Sequence, residues 1–144
     1  MQTIHFARLR PEAKLPSRKH PADAGIDLYA ALPVEIAANS LAIVPTGVCV
    51  DIPAGYVGLL KPKGRSNHLL GAGVVDAGYQ GEILVKVANP TAQPLRLEAG
   101  DPVGQMLILP VLTPQVREVN PDDIFPQASQ RGASGGIVDQ ANGG

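Results

Sequence analysis

The feature that most limits what this chain can fold into is the spacing of its helix-breaking residues. Sixteen glycines and fourteen prolines interrupt the 144 residues every few positions, and because a proline inside a helix costs about 3 kcal/mol, long helices are nearly excluded. The segments between these breaks are rich in valine, isoleucine and leucine, namely residues 41–50, 56–61, 82–88, 94–97 and 103–109. Short apolar segments at this spacing, joined by turn residues, predict an all-β sandwich or barrel.

The length of the chain and the composition of its C-terminal end indicate how this fold is organised. A chain of 144 residues can form one core without a disulfide or a structural metal. We therefore expect one β domain over residues 1–126, with a first core strand at 24–30 and a single helical turn at 121–125. Residues 127–144 are mainly Gly, Ala, Ser, Asn and Gln, which bury too little apolar surface to become ordered alone, so we expect a flexible C-terminal arm.

Charge and cysteine content argue against several classes of protein. The net charge is −1 and 17% of the residues are charged, without the basic block that follows a nucleic-acid backbone, so general binding to DNA or RNA is not expected. The first ten residues lack the apolar segment of a signal peptide, and no run approaches the ~18 apolar residues of a membrane span. Cys49 has no second cysteine to pair with and is expected to be a buried strand thiol. We expect a cytoplasmic protein.

The strongest candidate for chemistry is the segment from 73 to 82, which has the sequence GVVDAGYQGE. Asp76 follows two valines and precedes a glycine-containing turn, so we predict a β-hairpin with Asp76 at its mouth, placed to take a proton from water. The alternative is that Asp76 only forms the turn, through a hydrogen bond to its own backbone. Tyr79 is costly to place on a turn unless its ring contacts a ligand or the opposite strand.

Two further polar segments indicate where an anion would bind. Residues 63–66 (KGRS) combine cations, a glycine and a hydroxyl, which suit a polyphosphate because its oxygens only accept hydrogen bonds; a lone basic turn is also often just a solvated loop. The segment 100–105 (GDPVGQ) would bring the Gln105 amide to the same ligand. Asp27 lies in an apolar strand and needs a partner there, so it would orient an arginine or a water, or have a structural role.

The rest of the sequence offers little for other mechanisms. His5, His20 and His68 are scattered without metal-ligand spacing, and the single cysteine forms no cluster with them. The sequence contains no nucleophile elbow, P-loop or dinucleotide-binding fingerprint. A covalent or redox mechanism therefore has little support.

Taken in order along one all-β chain, these segments resemble the motifs of the homotrimeric dUTP pyrophosphatases, or dUTPases. Residues 24–28 (AGIDL) resemble the first motif of the family, 64–66 (GRS) the second, 73–82 the third and 100–106 (GDPVGQM) the fourth. The third motif is the most specific, and the resemblance covers most of the chain. It implies a jelly-roll subunit that assembles as a homotrimer with three active sites at the subunit interfaces.

The resemblance also implies an activity, the hydrolysis of dUTP to dUMP and pyrophosphate, with Mg2+ held by the phosphates of the substrate and not directly by protein side chains. Asp76 would activate the water that attacks the α-phosphorus, with Asp27 in a supporting position. The backbone of residues 73–75 would bind the uracil edge, and Tyr79 would pack beneath the deoxyribose and leave no room for a 2′-hydroxyl. The residues expected to bind substrate are Arg65, Ser66, Asn67, Gly73, Val74, Val75, Tyr79, Gln105 and Arg131.

The chain departs from the family pattern around its second motif. Asn67 and His68 follow Arg65-Ser66 where the family prefers small or apolar residues. The link from this loop to Asp76 is also several residues shorter than usual. Both departures are expected to alter the geometry of the base pocket.

A second departure lies in the C-terminal arm. Arg131 begins a segment, RGASGGIV, that resembles the fifth motif of the family, in which an arginine binds the γ-phosphate and a phenylalanine covers the base. Gly136 or Ile137 stands at the phenylalanine position in this chain. Losing an aromatic contact of about 1–3 kcal/mol predicts weaker closure of the site.

Two other functions stay open. A dCTP deaminase-type enzyme of the same fold would need a glutamate late in the strand that follows the third motif, but residues 84–89 are LVKVAN. A non-catalytic module for nucleotide sensing or protein binding is supported by the altered fifth motif. Asp76, Tyr79 and Arg65 argue against this second alternative.

Overall fold

The computed structural model describes residues 3–64, 66, 68–70, 73–125, 127–130 and 132. Their secondary structure is almost entirely β, as predicted. The strands are β1 His5–Arg8, β2 Ile26–Tyr29, β3 Val34–Ile36, β4 Ser40–Pro45, β5 Val48–Asp51, β6 Tyr56–Lys61, β7 Leu69–Leu70, β8 Val74–Val75, β9 Leu84–Asn89, β10 Leu95–Leu97 and β11 Pro102–Pro110. One short helix, α1, spans Pro121–Ile124, where the sequence predicted a single helical turn.

The chain divides into two units, Met1–Thr113 and Pro114–Gly144. The first unit contains every strand described above, and the second contains α1. The boundary that we expect after residue 126 stays a prediction.

The strands of the first unit form antiparallel sheets. The four-stranded sheet has the order β2-β11-β6-β8, and the three-stranded sheet has the order β4-β9-β7. Two smaller pairs, β1-β5 and β10-β3, complete the described strands. Every pairing is antiparallel, which agrees with short strands joined by turn residues.

The core is formed where the apolar faces of these sheets meet. Along β9 buried and exposed residues alternate, which is the period of a half-buried strand. Full burial of each such aliphatic side chain contributes about 1.5–3 kcal/mol. The largest fully buried apolar side chains are Leu28, Ile36, Val44, Val48, Ile52, Ile83, Val85, Val87, Val103 and Met106.

The predicted strand at 41–50 is two strands, because the chain turns at Gly47. Gly47 has φ +70, and a Cβ atom there would lie 2.7 Å from the Cβ of Ala13. Only glycine adopts this backbone conformation without strain. β4 therefore pairs with β9, whereas β5 pairs with β1.

The predicted β-hairpin around Asp76 is wrong, although its turn is present. In the described residues, β8 pairs with β6, and β9 pairs with β4 and β7. The chain between β8 and β9 therefore crosses from one sheet to another. Val75 and Val85 both enter the core, Val75 from the sheet of β6 and Val85 from the sheet of β4, so the crossing lets the two strands contribute to the core from different sheets.

Two further expectations concern Cys49 and membrane-spanning segments. Cys49 lies on β5 as predicted, but it is half-buried and not fully buried. No helix among the described residues has the length and apolar character needed to cross a membrane.

Candidate active site

Asp76 is held at the start of a tight turn. Its backbone carbonyl accepts a hydrogen bond from the Tyr79 N–H at 3.1 Å, and Gly78, at the third position of the turn, has φ +83, as a type II turn requires. The hydrogen bonds of the described residues use this backbone carbonyl and not the carboxylate. The side chain is exposed. In the described residues, Asp76 therefore lacks the hydrogen bond from the carboxylate to its own backbone that the turn-forming alternative requires.

The ring of Tyr79 folds back over the end of the same turn. Its hydroxyl donates to the Glu82 carbonyl at 2.8 Å, and a Cβ atom on Gly81 would lie 2.5 Å from that hydroxyl oxygen. Tyr79 thus depends on a glycine two residues later for its position. The side chain remains 45% exposed and lines the cleft described next.

These residues line one cleft of about 260 Å³. Its walls combine the β8 segment and the turn with the beginning of β9, and the lining residues are Leu60, Gly73, Val74, Val75, Asp76, Tyr79, Glu82, Ile83 and Leu84. A larger neighbouring cleft of about 360 Å³ shares Tyr79 but is otherwise lined by residues of β1, β5 and the turn. The smaller cleft holds the predicted carboxylate, so we take it as the candidate site.

β8 gives this cleft a backbone edge. It is the last strand of its sheet in the described residues, with β6 on one side. Val75 is buried opposite Gly58, whereas Val74 is 61% exposed. An edge strand presents N–H and C=O groups on its outer side that can pair with another molecule. The cleft therefore combines a carboxylate, an aromatic face and free hydrogen-bonding groups.

Asp27 has the partner that its burial required, and this partner is Lys63. The Lys63 Nζ lies 2.5 Å from the Asp27 Oδ1, and the two side chains are 31% and 17% exposed. Lys63 opens the predicted anion-binding segment, and its backbone carbonyl accepts the Ser66 N–H at 3.1 Å. The ion pair therefore attaches this turn to β2.

Gln105 contacts the same loop through its side chain. Its Nε2 donates to the Pro62 carbonyl at 2.9 Å, and its Oε1 packs so closely on Gly25 that a Cβ atom there would overlap it. A glycine at 25 is therefore needed for this side-chain position. The direct contact of Gln105 with a phosphate stays a prediction.

The structure places the predicted site residues in two groups. Gly73, Val74, Val75, Asp76 and Tyr79 share the cleft. Asp27, Ser66 and Gln105 lie on or contact the 62–68 loop and its neighbouring strands. Arg65, Asn67 and Arg131 fall outside the described residues.

The structure gives three further residues a place that was not predicted from the sequence. Lys63 was recognised as part of a basic turn but not as the partner of Asp27, and Glu82 was quoted in the third motif but not placed in the cleft. His68 is only 5% exposed, and its Nε2 lies 2.9 Å from the Val103 carbonyl. The signal for His68 was its departure from the small or apolar residues expected there.

The arrangement of these residues limits how a metal ion could be held. In the part of the chain that the structure describes, no three His, Cys, Asp or Glu side chains are grouped to hold a metal ion. A magnesium ion usually keeps several waters and is bound by one or two carboxylates together with substrate phosphates. The exposed carboxylate of Asp76 fits a water-mediated contact with an ion that substrate phosphates hold directly.

Comparison with known protein sequences supports the family resemblance. A family model described as dUTPase matches residues 11–136. A deoxyuridine 5′-triphosphate nucleotidohydrolase of Mycolicibacterium gilvum is 42% identical over 141 residues, with 93% of this chain and 92% of that protein covered. The corresponding protein of Mycobacterium tuberculosis strain H37Rv is 40% identical with the same coverage.

Comparison with solved structures supports the same fold. The dUTPase of Staphylococcus bacteriophage 80alpha with dUPNHPP has a TM-score of 0.84 and 27% identity, and the match covers 94% of this chain and 96% of that chain. A dUTPase from phage phi11 of S. aureus, whose structure shows a structural Mg(II) ion, has a TM-score of 0.75 and 26% identity, with 81% and 96% covered. The predicted fold class is confirmed.

The close contact between Gly81 and Tyr79 gives a first prediction. In a Gly81→Ala variant the new methyl group would overlap the Tyr79 ring, so we expect the ring to move away while the core stays intact. Spectra of protein with 13C-labelled tyrosine contain signals from three tyrosines, and we expect the Tyr79 signal, assigned with Tyr79→Phe, to shift most. Unchanged tyrosine spectra would show that the ring does not cover Gly81.

Proposed function

The chain belongs to the dUTPase family, since the family model matches residues 11–136 and a relative is 42% identical over nearly its whole length, and from this premise we propose that it hydrolyses dUTP to dUMP and pyrophosphate. The observation that carries the proposal is the cleft in which Asp76, Tyr79 and the outer edge of β8 meet. We extend the proposal to a cytoplasmic enzyme of nucleotide metabolism.

We propose that Asp76 is the general base. Its exposed carboxylate takes a proton from a water molecule while the water oxygen attacks the α-phosphorus. The new bond joins this oxygen to the α-phosphorus, and the bond to the bridging oxygen of the leaving pyrophosphate breaks. The exposed position of Asp76 at the mouth of the cleft supports this role.

The outer edge of β8 would bind the uracil ring. Backbone N–H and C=O groups of residues 73–75 are rigidly placed because β8 pairs with β6 on its other side and the Gly73 carbonyl accepts the Leu60 N–H at 2.8 Å. An apolar pocket separates substrates that differ by one methyl group by only about 1–3 kcal/mol. A rigid backbone edge adds a steric clash against thymine, which favours main-chain recognition of uracil.

Tyr79 would pack beneath the deoxyribose. The ring is held by the hydrogen bond from its hydroxyl to the Glu82 carbonyl and by its contact with Gly81. A ring whose hydroxyl end is held in this way resists moving aside for an additional hydroxyl group. This restraint supports the exclusion of ribonucleotides.

The 62–68 loop would bind the phosphates. Ser66 and Gln105 lie on or next to this loop, and Arg65, Asn67 and Arg131 are proposed for the same role from their motifs. Magnesium, when bound, would be held mainly by the substrate phosphates beside Asp76 and would neutralise their charge. The donors of the loop act in the same direction, because a polyphosphate repels an incoming nucleophile until its charge is balanced.

We propose that the enzyme is a homotrimer with its sites at the subunit interfaces. Leu41, Ile43 and Leu84 are 68%, 59% and 48% exposed, and the register of β4 with β9 places them on one face of the sheet. Lys86, which pairs with Ile43, lies among them on the same face. Leu84 also lines the cleft. The cleft of about 260 Å³ is smaller than the roughly 300–1,000 Å³ of typical ligand pockets, which supports completion of the site by a neighbouring subunit.

A nucleotide-sensing role is a second candidate because of the altered fifth motif. Gly136 or Ile137 replaces the aromatic residue expected to cover the base, and the Staphylococcus bacteriophage 80alpha relative is described as a dUTPase that controls transfer of virulence genes. Deamination of dCTP has less support, since β9 contains no glutamate.

The function is tested by incubating the protein with dUTP, dCTP, dTTP and UTP in the presence of magnesium and separating the products. We expect pyrophosphate from dUTP alone, whereas ammonia from dCTP would contradict the proposal and binding without product would favour the sensor. In the same assay Tyr79→Ala should raise the UTP to dUTP activity ratio by about tenfold, and Tyr79→Phe, which keeps the ring, should not. An unchanged ratio in Tyr79→Ala would exclude the role of Tyr79 in sugar selection.

The role of Asp76 is tested by Asp76→Asn, which keeps the shape of the side chain but cannot accept the proton. We expect kcat to fall by at least about 100-fold while dUTP binding is retained. Asp122→Asn changes an exposed aspartate on α1 and is the matched control. Activity of Asp76→Asn close to that of the control would contradict the assignment of the base.

The proposed assembly is tested by Ile43→Arg, measured by light scattering and by dUTP hydrolysis. A second cation directly opposite Lys86 should dissociate the trimer and lower the activity, because two like charges that an interface desolvates without a partner are costly. Leu112→Arg, at a residue that is 90% exposed and lies outside β4 and β9, is the control. A monomeric parent protein with full activity, or a fully active trimer of Ile43→Arg, would contradict this interface.

A further inference from the structure

The loop between β6 and β7 is fastened to neighbouring strands by three side-chain contacts. Gln105 on β11 donates to the Pro62 carbonyl at 2.9 Å, Lys63 contacts Asp27 on β2 at 2.5 Å, and the His68 Nε2 lies 2.9 Å from the Val103 carbonyl on β11. Two contacts lie at the start of the loop and one at its end. We call this set the loop clamp.

The His68 contact depends on an irregularity of β11. The register with β2 shifts between Pro102 and Gly104, so Val103 is an extra residue, and the pairing of β11 with β6 begins only at Gln105. A buried backbone carbonyl at such a bulge needs a donor. Because a carbonyl oxygen only accepts, the His68 Nε2 carries the hydrogen. His68 thereby satisfies the bulge and fixes the end of the loop.

The Lys63 contact acts on the turn that carries Ser66. Asp27 is itself fixed on β2, where its N–H donates to the Ser17 carbonyl at 2.7 Å and its carbonyl accepts the Ser17 N–H at 3.2 Å. The Lys63 side chain is fixed on Asp27, and the Lys63 carbonyl accepts the Ser66 N–H. A partly exposed ion pair adds little net stability, so its main consequence is orientation.

We propose that His68 and Lys63 are positioning residues for phosphate binding, acting by holding the 62–68 loop on β2 and β11 before substrate arrives. Neither residue needs to touch the substrate for this role. A loop that is already in place loses less conformational freedom on binding, so affinity for the polyphosphate rises. This inference rests on the proposed function of the loop but adds residues outside its predicted binding set.

The test compares ligands with and without a polyphosphate. His68→Leu and Lys63→Met each remove one contact, whereas His68→Gln and Lys63→Arg keep a donor. We expect the two disruptive variants to weaken binding of the dUTP analogue dUpNHpp by about tenfold and to raise KM for dUTP more than they lower kcat. Binding of 2′-deoxyuridine, which has no phosphate, should be unchanged, and the conservative variants should recover most of the loss.

Equal weakening of dUpNHpp and deoxyuridine binding would mean a general structural role and would overturn the proposal. An unchanged affinity for dUpNHpp in both disruptive variants would overturn it as well. If His68→Leu fails to fold, Lys63→Met decides, since Lys63 is on the partly exposed side of the loop. The conservative Lys63→Arg variant then serves as its matched control.

A second measurement separates this inference from the proposed function. Hydrogen exchange of the Ser66 amide in the ligand-free protein should become faster by about tenfold in Lys63→Met, while amides of the buried strand β9 keep their protection. This result would support the clamp even if the parent protein did not hydrolyse dUTP. Unchanged exchange at Ser66 in a protein that does hydrolyse dUTP would refute the clamp and leave the proposed function standing.

Discussion

The position of the candidate site depends on the close approach of β8 to β6 at Gly58. Gly58 is opposite Val75, and a Cβ atom at Gly58 would lie 2.9 Å from the Met106 sulfur and 3.1 Å from the Ile52 Cδ1. Because this position has no side chain, Val75 packs into the core, and the chain leaves the sheet immediately afterwards. Asp76 therefore emerges at the surface, at a point that a core contact determines.

The location of most strands could be predicted from the sequence, but their partners could not. Proline and glycine interrupt the chain at the ends of apolar segments, and this local signal identified β6 and β11. The pairing of β8 with β6 instead of β9 depends on which apolar faces meet in the core, and this is a long-range property. The turn at Asp76 was found because Gly78 marks it locally, whereas the hairpin was inferred from adjacency and was wrong.

The same distinction applies to the candidate site. The need of Asp27 for a partner followed from its apolar neighbours, but Lys63 lies 36 residues away in sequence, and nothing local identifies it. His68 was visible only as an unexpected residue, because its acceptor exists only where β11 has a bulge. A glycine inside an apolar strand, such as Gly104, indicates a bulge, but it does not identify the side chain that donates to the buried carbonyl at the bulge.

In the proposed mechanism, both departures from the family pattern would affect substrate binding, the second-motif loop at the base pocket and the phosphates and the arm at closure of the site. An arm without the aromatic residue would contribute less to closing the site, and the proposed loop clamp would offset part of this loss by ordering the phosphate loop in advance. Leu84 belongs both to the cleft and to the exposed apolar face that we assign to the subunit interface. A neighbouring subunit on this face would exclude water from the side of the cleft that a single chain leaves open, and exclusion of water strengthens the interactions that stabilise the reacting phosphate. Subunit assembly and the ordered phosphate loop would then together compensate for weaker closure of the site by the altered arm.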